Sequence, residues 1–547
     1  MSEAPDEAAI TPARGEQHGG RRVLHNSAVM TVGQIVVVLV GLILTPVTVS
    51  YVGLAVFGIW GLITTAVSYL LVLDPGIGGV VLRYGAMAQS TGDDRLMARL
   101  TTLGSGVWLG LGLAGLPIVI LFVPPFVHHI HLAGISASTV IAFFYWGYGL
   151  LVADTVLSVI NSQLVAIGDL WLVSIIDIVT RVLYGVVLVA GFLSGWGLWA
   201  IVVASFAQVI SSYVVTLFFC WRRVSFPYGN PFRLDRATLR EVMRFGAWGQ
   251  LTGILDTLTY NTDAIVISGF ISATATGIYN VANRLARQIS FFSTAPHAVL
   301  PAMSAAHGAG EGYPAIARMM TRANRMTCIL GALMGSIILG AAPVLLAAWL
   351  GHHYPKADLA TCLISIGLLI GLLRQAAGLA IYAVGKVGYG ARARIVAFFV
   401  NLVVTLALVI PMGISGVLIG TVLATLASTI YLQIRVQRLL GASAHDALWS
   451  WAMPLIIATL PAILLDRLLL FFMPISVQVH RGPALLALSA LSILNYTAII
   501  VCFRLARVIQ PEDVSTLRRA LPTAARRFTR PWMVRILMRP DATAATP

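Results

Sequence analysis

Apolar residues run along this chain in fourteen stretches, near 28–52, 55–74, 102–123, 138–160, 171–193, 197–219, 246–270, 277–300, 326–350, 361–384, 394–412, 415–434, 449–472 and 483–503. Each is close to the length an α-helix needs to cross hydrocarbon, about 20 residues at about 1.5 Å per residue. The pattern predicts an all-α polytopic membrane protein with about 14 transmembrane helices.

The informative positions are the polar ones inside these stretches. Gly277–Pro301 is long enough to span and carries Arg284 and Arg287. A fixed charge in hydrocarbon costs at least about 2.5–3.5 kcal/mol, so such residues face a cavity or a partner and are functional candidates by default. Helical spacing puts Asn280, Asn283, Arg284 and Arg287 on one face. In the preceding span Asp256, Tyr260 and Asp263 lie at i, i+4 and i+7, again one face. The tenth span carries Arg374 and Gln375, flanked by Gly367, Gly371 and Gly378, small residues that let a helix or a substrate approach closely. The first half of the chain offers Asp154 in the fourth span and Asp177 with Arg181 in the fifth.

Depth divides these residues. Arg284 and Asp263 each lie about seven residues, roughly 10 Å, from the outer ends of their spans, where they can pair. Arg287, Arg374 and Asp256 lie nearer the midplane, the usual level of a transporter site. Two readings stay open for Asp177–Arg181 and Asp263–Arg284: buried ion pairs that fix packing, or groups that couple an ion. Arg287 and Arg374 have only Asp256 as a carboxylate at their level, so substrate-facing roles are expected of them. An arginine suits a phosphate because its planar fork stays charged and donates two hydrogen bonds.

The two halves of the chain resemble each other. Gly58 of Phe57-Gly58-Ile59-Trp60 and Gly277 of Thr276-Gly277-Ile278-Tyr279 are 219 positions apart. The same offset relates Arg99 to Arg318 and Gly197 to Gly416, and Gly168 lies 217 positions before Gly385. Six spans per unit is even, so the repeat is parallel, with its axis along the membrane normal. The expected organisation is a tail at 1–22, a first lobe of six helices at 23–220, a basic linker at 221–245, a second lobe at 246–436, two extra helices in 449–503 and a basic tail at 504–547. Two pseudo-symmetric six-helix lobes would enclose a central cavity.

Composition supports this and adds orientation. Hydrophobic residues make up 58% of the 547 and charged residues 10%, against about 25% charged in soluble domains. The net charge of +15 sits in tails and in alternate loops, as the positive-inside bias requires. It marks no nucleic-acid binder. Both termini are expected to be cytoplasmic, with the Asn161–Leu170 connection the one inside loop lacking a basic residue. The tail beyond 503 carries nine Arg and reads as a solvated basic segment or as an amphipathic one on anionic lipid. The first 22 residues contain no apolar core of a cleaved leader, and the first span is expected to serve as insertion signal. The four scattered cysteines read as packing residues. His128, His129, His131, His352 and His353 read as loop polarity, and no metal site or other cofactor is expected. Asp74–Gly79, DPGIGG, ends the second span and offers a hinge. No nucleophile elbow, P-loop or zinc motif is present.

These residues resemble the bacterial polysaccharide flippases of the multidrug/oligosaccharidyl-lipid/polysaccharide exporter superfamily. The resemblance rests on Asn26 and Gln34 in the first span, on FGIW at Phe57–Trp60, and on LDPGIGGVVLRY at Leu73–Tyr84. It rests most on NTDAIVISGF with TGIYNVANRLARQISFF, followed by Pro296 and by LPAMS at Leu300–Ser304. It covers about residues 23–505 and implies a V-shaped cavity opening alternately to either side of the bacterial inner membrane. It implies a non-enzymatic carrier of a polyprenyl-diphosphate-linked oligosaccharide for O-antigen-type surface polysaccharide, working beside a polysaccharide polymerase. Cavity arginines of that family are thought to engage diphosphate and sugar. Here that role falls on Arg284, Arg287 and Arg374, with Asn280 on the same face. Asp263 or Asp256 would pair with them or couple H⁺ or Na⁺. The two extra helices resemble those that form a lipid-tail groove in lipid II flippases, and the Arg-rich tail is not part of the pattern. The alternatives are a lipid II flippase, a drug exporter of the same superfamily, and a membrane glycosyltransferase or polymerase. Short outside loops, with no Asp or Glu in 124–137, argue against the last.

Overall fold

A computed structural model of the chain describes most of residues 14–69, 94–223, 254–290, 312–441, 453–473 and 480–505, with a few positions between. The described residues form fifteen helices and no strand. In order they are α1 Arg14–Val52, α2 Leu54–Ser68, α3 Asp94–His128, α4 Ala137–Ala166, α5 Leu170–Leu193, α6 Trp199–Arg223, α7 Ala273–Ala286, α8 Tyr313–Gly340, α9 Ala342–Leu350, α10 Pro355–Leu372, α11 Gln375–Ala383, α12 Gly388–Met412, α13 Ile414–Leu440, α14 Met453–Phe472 and α15 Arg481–Leu505. Residues 262–270 add the end of the seventh span. Ten stretches among the described residues are long and apolar enough to cross a membrane. The protein is an all-α polytopic membrane protein.

Burial is inverted relative to a soluble domain. Leu121, Ile410, Phe471 and Leu486 are exposed, while Thr361, Asn401, Thr405, Asp466 and Asn495 are buried. Lipid is as apolar as leucine, so outward aliphatic surface carries no penalty there, and the polar groups must find partners inside.

The chain forms two compact units. One comprises 1–47, 73–123 and 142–250; the other comprises 48–72, 124–141 and 251–547. In the first unit α5 packs along α6. The α4–α5 connection without a basic residue is anchored here: Asp169, 4% exposed, pairs with Arg223 at the end of α6 at 3.4 Å. The loop therefore lies at the same end of the helices as the basic segment after α6, and takes its cation from it.

The second unit holds α2 as well as α7–α15. Gly58 of α2 and Gly277 of α7, the repeat-related glycines, lie against each other. A Cβ on Gly58 would overlap the Ala273 carbonyl, and one on Gly277 would overlap that of Leu54. Only glycine allows backbones so close. Contrary to the single spans expected, the ninth and tenth are each two helices. The ninth breaks at Ala341 between α8 and α9, because Pro343 has no N–H to offer the Leu339 carbonyl. The tenth breaks at Leu373–Arg374 between α10 and α11. The first helix begins at Arg14, inside the segment expected to be a tail.

Candidate functional site

Around α7 the second unit assembles a polar layer. Ser272 caps the helix by accepting from the Ala275 N–H at 3.1 Å, and the buried side from Ala273 to Ala286 faces α2 and α10. The opposite side carries Arg284 and Arg287, both exposed. The α-helical run ends at Arg287, and residues 287–290 tighten into a 3₁₀ turn. Arg287 donates through Nε to Asn283 Oδ1 at 3.1 Å, and Gln288 donates to the Arg284 carbonyl at 2.7 Å. In a membrane segment, exposed guanidinium groups face water or a cavity.

Asp263 is 2% exposed. Its Oδ2 accepts from the Thr421 hydroxyl at 2.7 Å. That hydroxyl accepts from Asn401 Nδ2 at 2.9 Å. The other oxygen, Oδ1, has no hydrogen-bond partner. Arg287 is the cation whose field acts on this carboxylate and on the buried Tyr279 beside it. Asp263, Thr421 and Asn401 thus form a hydrogen-bonded chain of side chains, and nearby on the same two helices Thr405 donates to the Val417 carbonyl at 3.5 Å.

Arg374 stands at the break of the tenth span. Two short turns mark it, Leu373 N–H to Ile370 O and Arg374 N–H to Gly371 O, each 3.2 Å. The groups released from the helical ladder are taken by side chains. Gln433 donates to the Leu373 carbonyl, Thr429 to the Ile370 carbonyl at 3.5 Å, and Asn324 accepts from the Ala376 N–H at 3.2 Å. Irregular backbone at membrane depth persists when its groups are satisfied in this way. Arg374 itself donates to Ser428 at 3.0 Å. Thr421 and Ser428 are seven residues apart on α13, so one helix face reaches both Asp263 and Arg374, about 10 Å apart along its axis.

Of the residues singled out by sequence, the structure thus links Arg287 with Asn283 and, through its field, with Asp263. It links Asp263 and Arg374 to α13. Asn280 donates to the Gly58 carbonyl at 3.4 Å and lies over Gly61, so it stands in the α2–α7 crossing. Gly367 and Gly371 admit α13, with Val422 and Thr425 in contact, and a Cβ on Gly378 would meet open space. Asp256 and the DPGIGG segment lie outside the described residues. In the first unit Asp154 and Asp177 are exposed on α4 and α5, and Arg181 is half-buried. The field of Arg181 acts on both carboxylates, and its guanidinium lies 5.9 Å from the Tyr184 ring centre. Thr421, Asn401, Ser428 and Gln433 were missed in sequence. Their signal was the polar line Thr421, Thr425, Ser428, Thr429, Gln433 and Gln437 along an apolar span. His128 and His129 bond the Pro124 and Pro125 carbonyls, and no metal-ligand cluster occurs among the described residues.

The family model for polysaccharide biosynthesis proteins matches residues 23–307, just over half of the chain. The chain belongs to this family. None of the curated proteins matches it in sequence. In fold it is similar to the lipid II flippase MurJ in an inward-closed conformation, with TM-score 0.64 and 13% identity over 87% of this chain and 98% of that one. It is also similar to an inward-facing multidrug resistance MATE family transporter of the MOP superfamily, with TM-score 0.55 and 18% identity over 75% and 96%. A MATE structure in complex with MaD5 gives TM-score 0.52 and 18% identity over 77% and 97%. This polysaccharide biosynthesis family member therefore has the fold of MOP-superfamily transporters.

Proposed function

We propose that the protein is a flippase that carries a polyprenyl-diphosphate-linked oligosaccharide across the bacterial cytoplasmic membrane, by alternating access, for surface polysaccharide assembly. The observation that carries this reading is the exposed Arg284 and Arg287 pair, in the stretch the sequence pattern reads as the eighth span, beside a buried Asp263, in a chain of the polysaccharide biosynthesis family. The diphosphate binds Arg287 and Arg374, whose planar forks match its oxygens. The sugar occupies the polar interior, and the prenyl chain stays in lipid.

Asp263 is the coupling carboxylate in this scheme. With Arg287 drawn to the diphosphate, Asp263 gains affinity for H⁺ or Na⁺, and release of the ion returns the carboxylate to the field of Arg287. Both termini lie in the cytoplasm, and the product passes to a polysaccharide polymerase outside. The likeness of the fold to a lipid II flippase favours a second reading, with lipid II as cargo. Conditional lethality on depletion would select it, and loss of surface polysaccharide with intact growth would select the first. The test of the site is export by stably expressed Arg287→Ala and Arg374→Ala proteins; full export by both removes the anion site.

A further inference from the structure

The extra helices α14 and α15 dock on the second unit through a second polar layer, at the proline break of the ninth span. Pro343 leaves the Leu339 carbonyl without its helical donor, and Arg467 of α14 supplies one through Nε at 2.8 Å. The same guanidinium binds Asp358 of α10 at 3.3 and 3.4 Å and touches Cys362 Sγ at 2.8 Å. Arg467 is thereby fully committed to α8 and α10.

Its neighbour Asp466 points elsewhere. Ala462, Asp466 and Leu470 form the buried face of α14, and Asp466 is 0% exposed. Asn495 of α15, also buried, donates through Nδ2 to its Oδ2, and the Ser336 hydroxyl of α8 donates to Asn495 Oδ1 at 2.9 Å. Gly340 makes the room: a Cβ there would overlap the carboxylate. Oδ1 has no hydrogen-bond partner. No lysine, arginine or histidine binds either oxygen among the described residues. Among the described residues the charged group acting on it is Arg467 of its own helix, which is bound in turn by Asp358 and Cys362 of α10. Helix α15 presents Asn495, α8 presents Ser336, and α9 presents the apolar Val344, Ala347 and Ala348.

We propose that Asp466 is a proton-binding site, with Oδ2 accepting from Asn495 and Oδ1 carrying the proton, and that this neutral carboxyl seats the α14–α15 pair on α8. The field of Arg467 reaches Asp466, but that guanidinium is committed to other acceptors, and a buried carboxylate bonded only to a neutral amide costs more than a neutral acid with one unmet group. A metal ion would need several oxygens, and Asn495 turns its amide toward the carboxylate instead. The proton comes from water as the helices dock: the carboxylate takes it up, one O–H bond forms, and no other reactant is consumed.

The test is infrared difference spectroscopy on the full-length protein in lipid, wild type against Asp466→Asn and against Asp466→Glu. At neutral pH the wild type should show a protonated-carboxyl stretch that vanishes in Asp466→Asn and moves in Asp466→Glu. Dicyclohexylcarbodiimide, which reacts with protonated carboxyls in apolar surroundings, should label Asp466 and spare Asp358. An ionised-carboxylate band assigned to Asp466 at neutral pH, or one that shifts on adding Na⁺, overturns the proposal. The outcome is independent of the cargo carried.

Discussion

The second unit buries two carboxylates in much the same way and uses the arginine beside each differently. Asp263 and Asp466 are 2% and 0% exposed. Each has one oxygen bonded to a neutral side chain and one without a partner. Beside Asp466, Arg467 is tied to Asp358, Cys362 and the Leu339 carbonyl. Beside Asp263, Arg287 is exposed and bonded through Nε to Asn283 of its own helix. The first arginine fastens helices together; the second has donors to offer an anion. Identical residue types thus tie helices together or stay exposed according to what else the guanidinium touches.

Substitutions can separate the two roles. The largest effect is expected for Arg287→Ala: losing one charge-assisted hydrogen bond, ~1.5–3 kcal/mol, weakens diphosphate binding ~10- to 150-fold. Surface polysaccharide should fall while thermal stability in detergent is unchanged. Arg287→Lys should recover part of the export, because a point charge replaces a fork. Arg467→Ala should do the reverse. It leaves the Leu339 carbonyl and Asp358 to share the weak Cys362 thiol as donor, and an unmet buried group costs ~1–3 kcal/mol. With Arg467 35% exposed the lower part of that range applies, read as a lower unfolding temperature.

The α2–α7 crossing gives the next effect. Gly277→Val forces side-chain atoms into the Leu54 carbonyl, a strain of ~1–3 kcal/mol, and should lower both stability and export. Ser428→Ala should be mildest. It removes one hydrogen bond to Arg374, ~0.5–1.5 kcal/mol, and should weaken substrate affinity without changing the amount of folded protein. A stability loss from Arg287→Ala equal to that from Arg467→Ala would erase the distinction between the two arginines.

Much of the frame was visible in the chain itself. Span periodicity located helices within most of the fourteen segments, and the repeat brought out Gly58 and Gly277, which lie against each other. The break at Ala341 had a local cause in Pro343 that a search for long apolar runs passes over. The break at Arg374 has no proline, and its local signal is only Gly371, whose carbonyl accepts the Arg374 N–H. It is held by Asn324 and Gln433, 52 and 60 residues away in sequence. Asp466 and Asn495 were equally silent, because single polar residues in apolar runs acquire meaning only when a distant helix brings the partner. Arg287, Arg374 and Asp263 stood out in sequence, whereas the neutral Asn283, Ser428 and Thr421 bonded to them gained meaning only in the fold.

The most direct measurement of the central claim is the thermal stabilisation of purified full-length protein by undecaprenyl diphosphate, compared with the neutral polyprenol. A ligand that binds the folded state raises its unfolding temperature by mass action. Stabilisation by the diphosphate, absent with the polyprenol and lost in Arg287→Ala, is the predicted result. Equal stabilisation by both lipids, or a diphosphate effect that survives in Arg287→Ala combined with Arg374→Ala, would contradict the account.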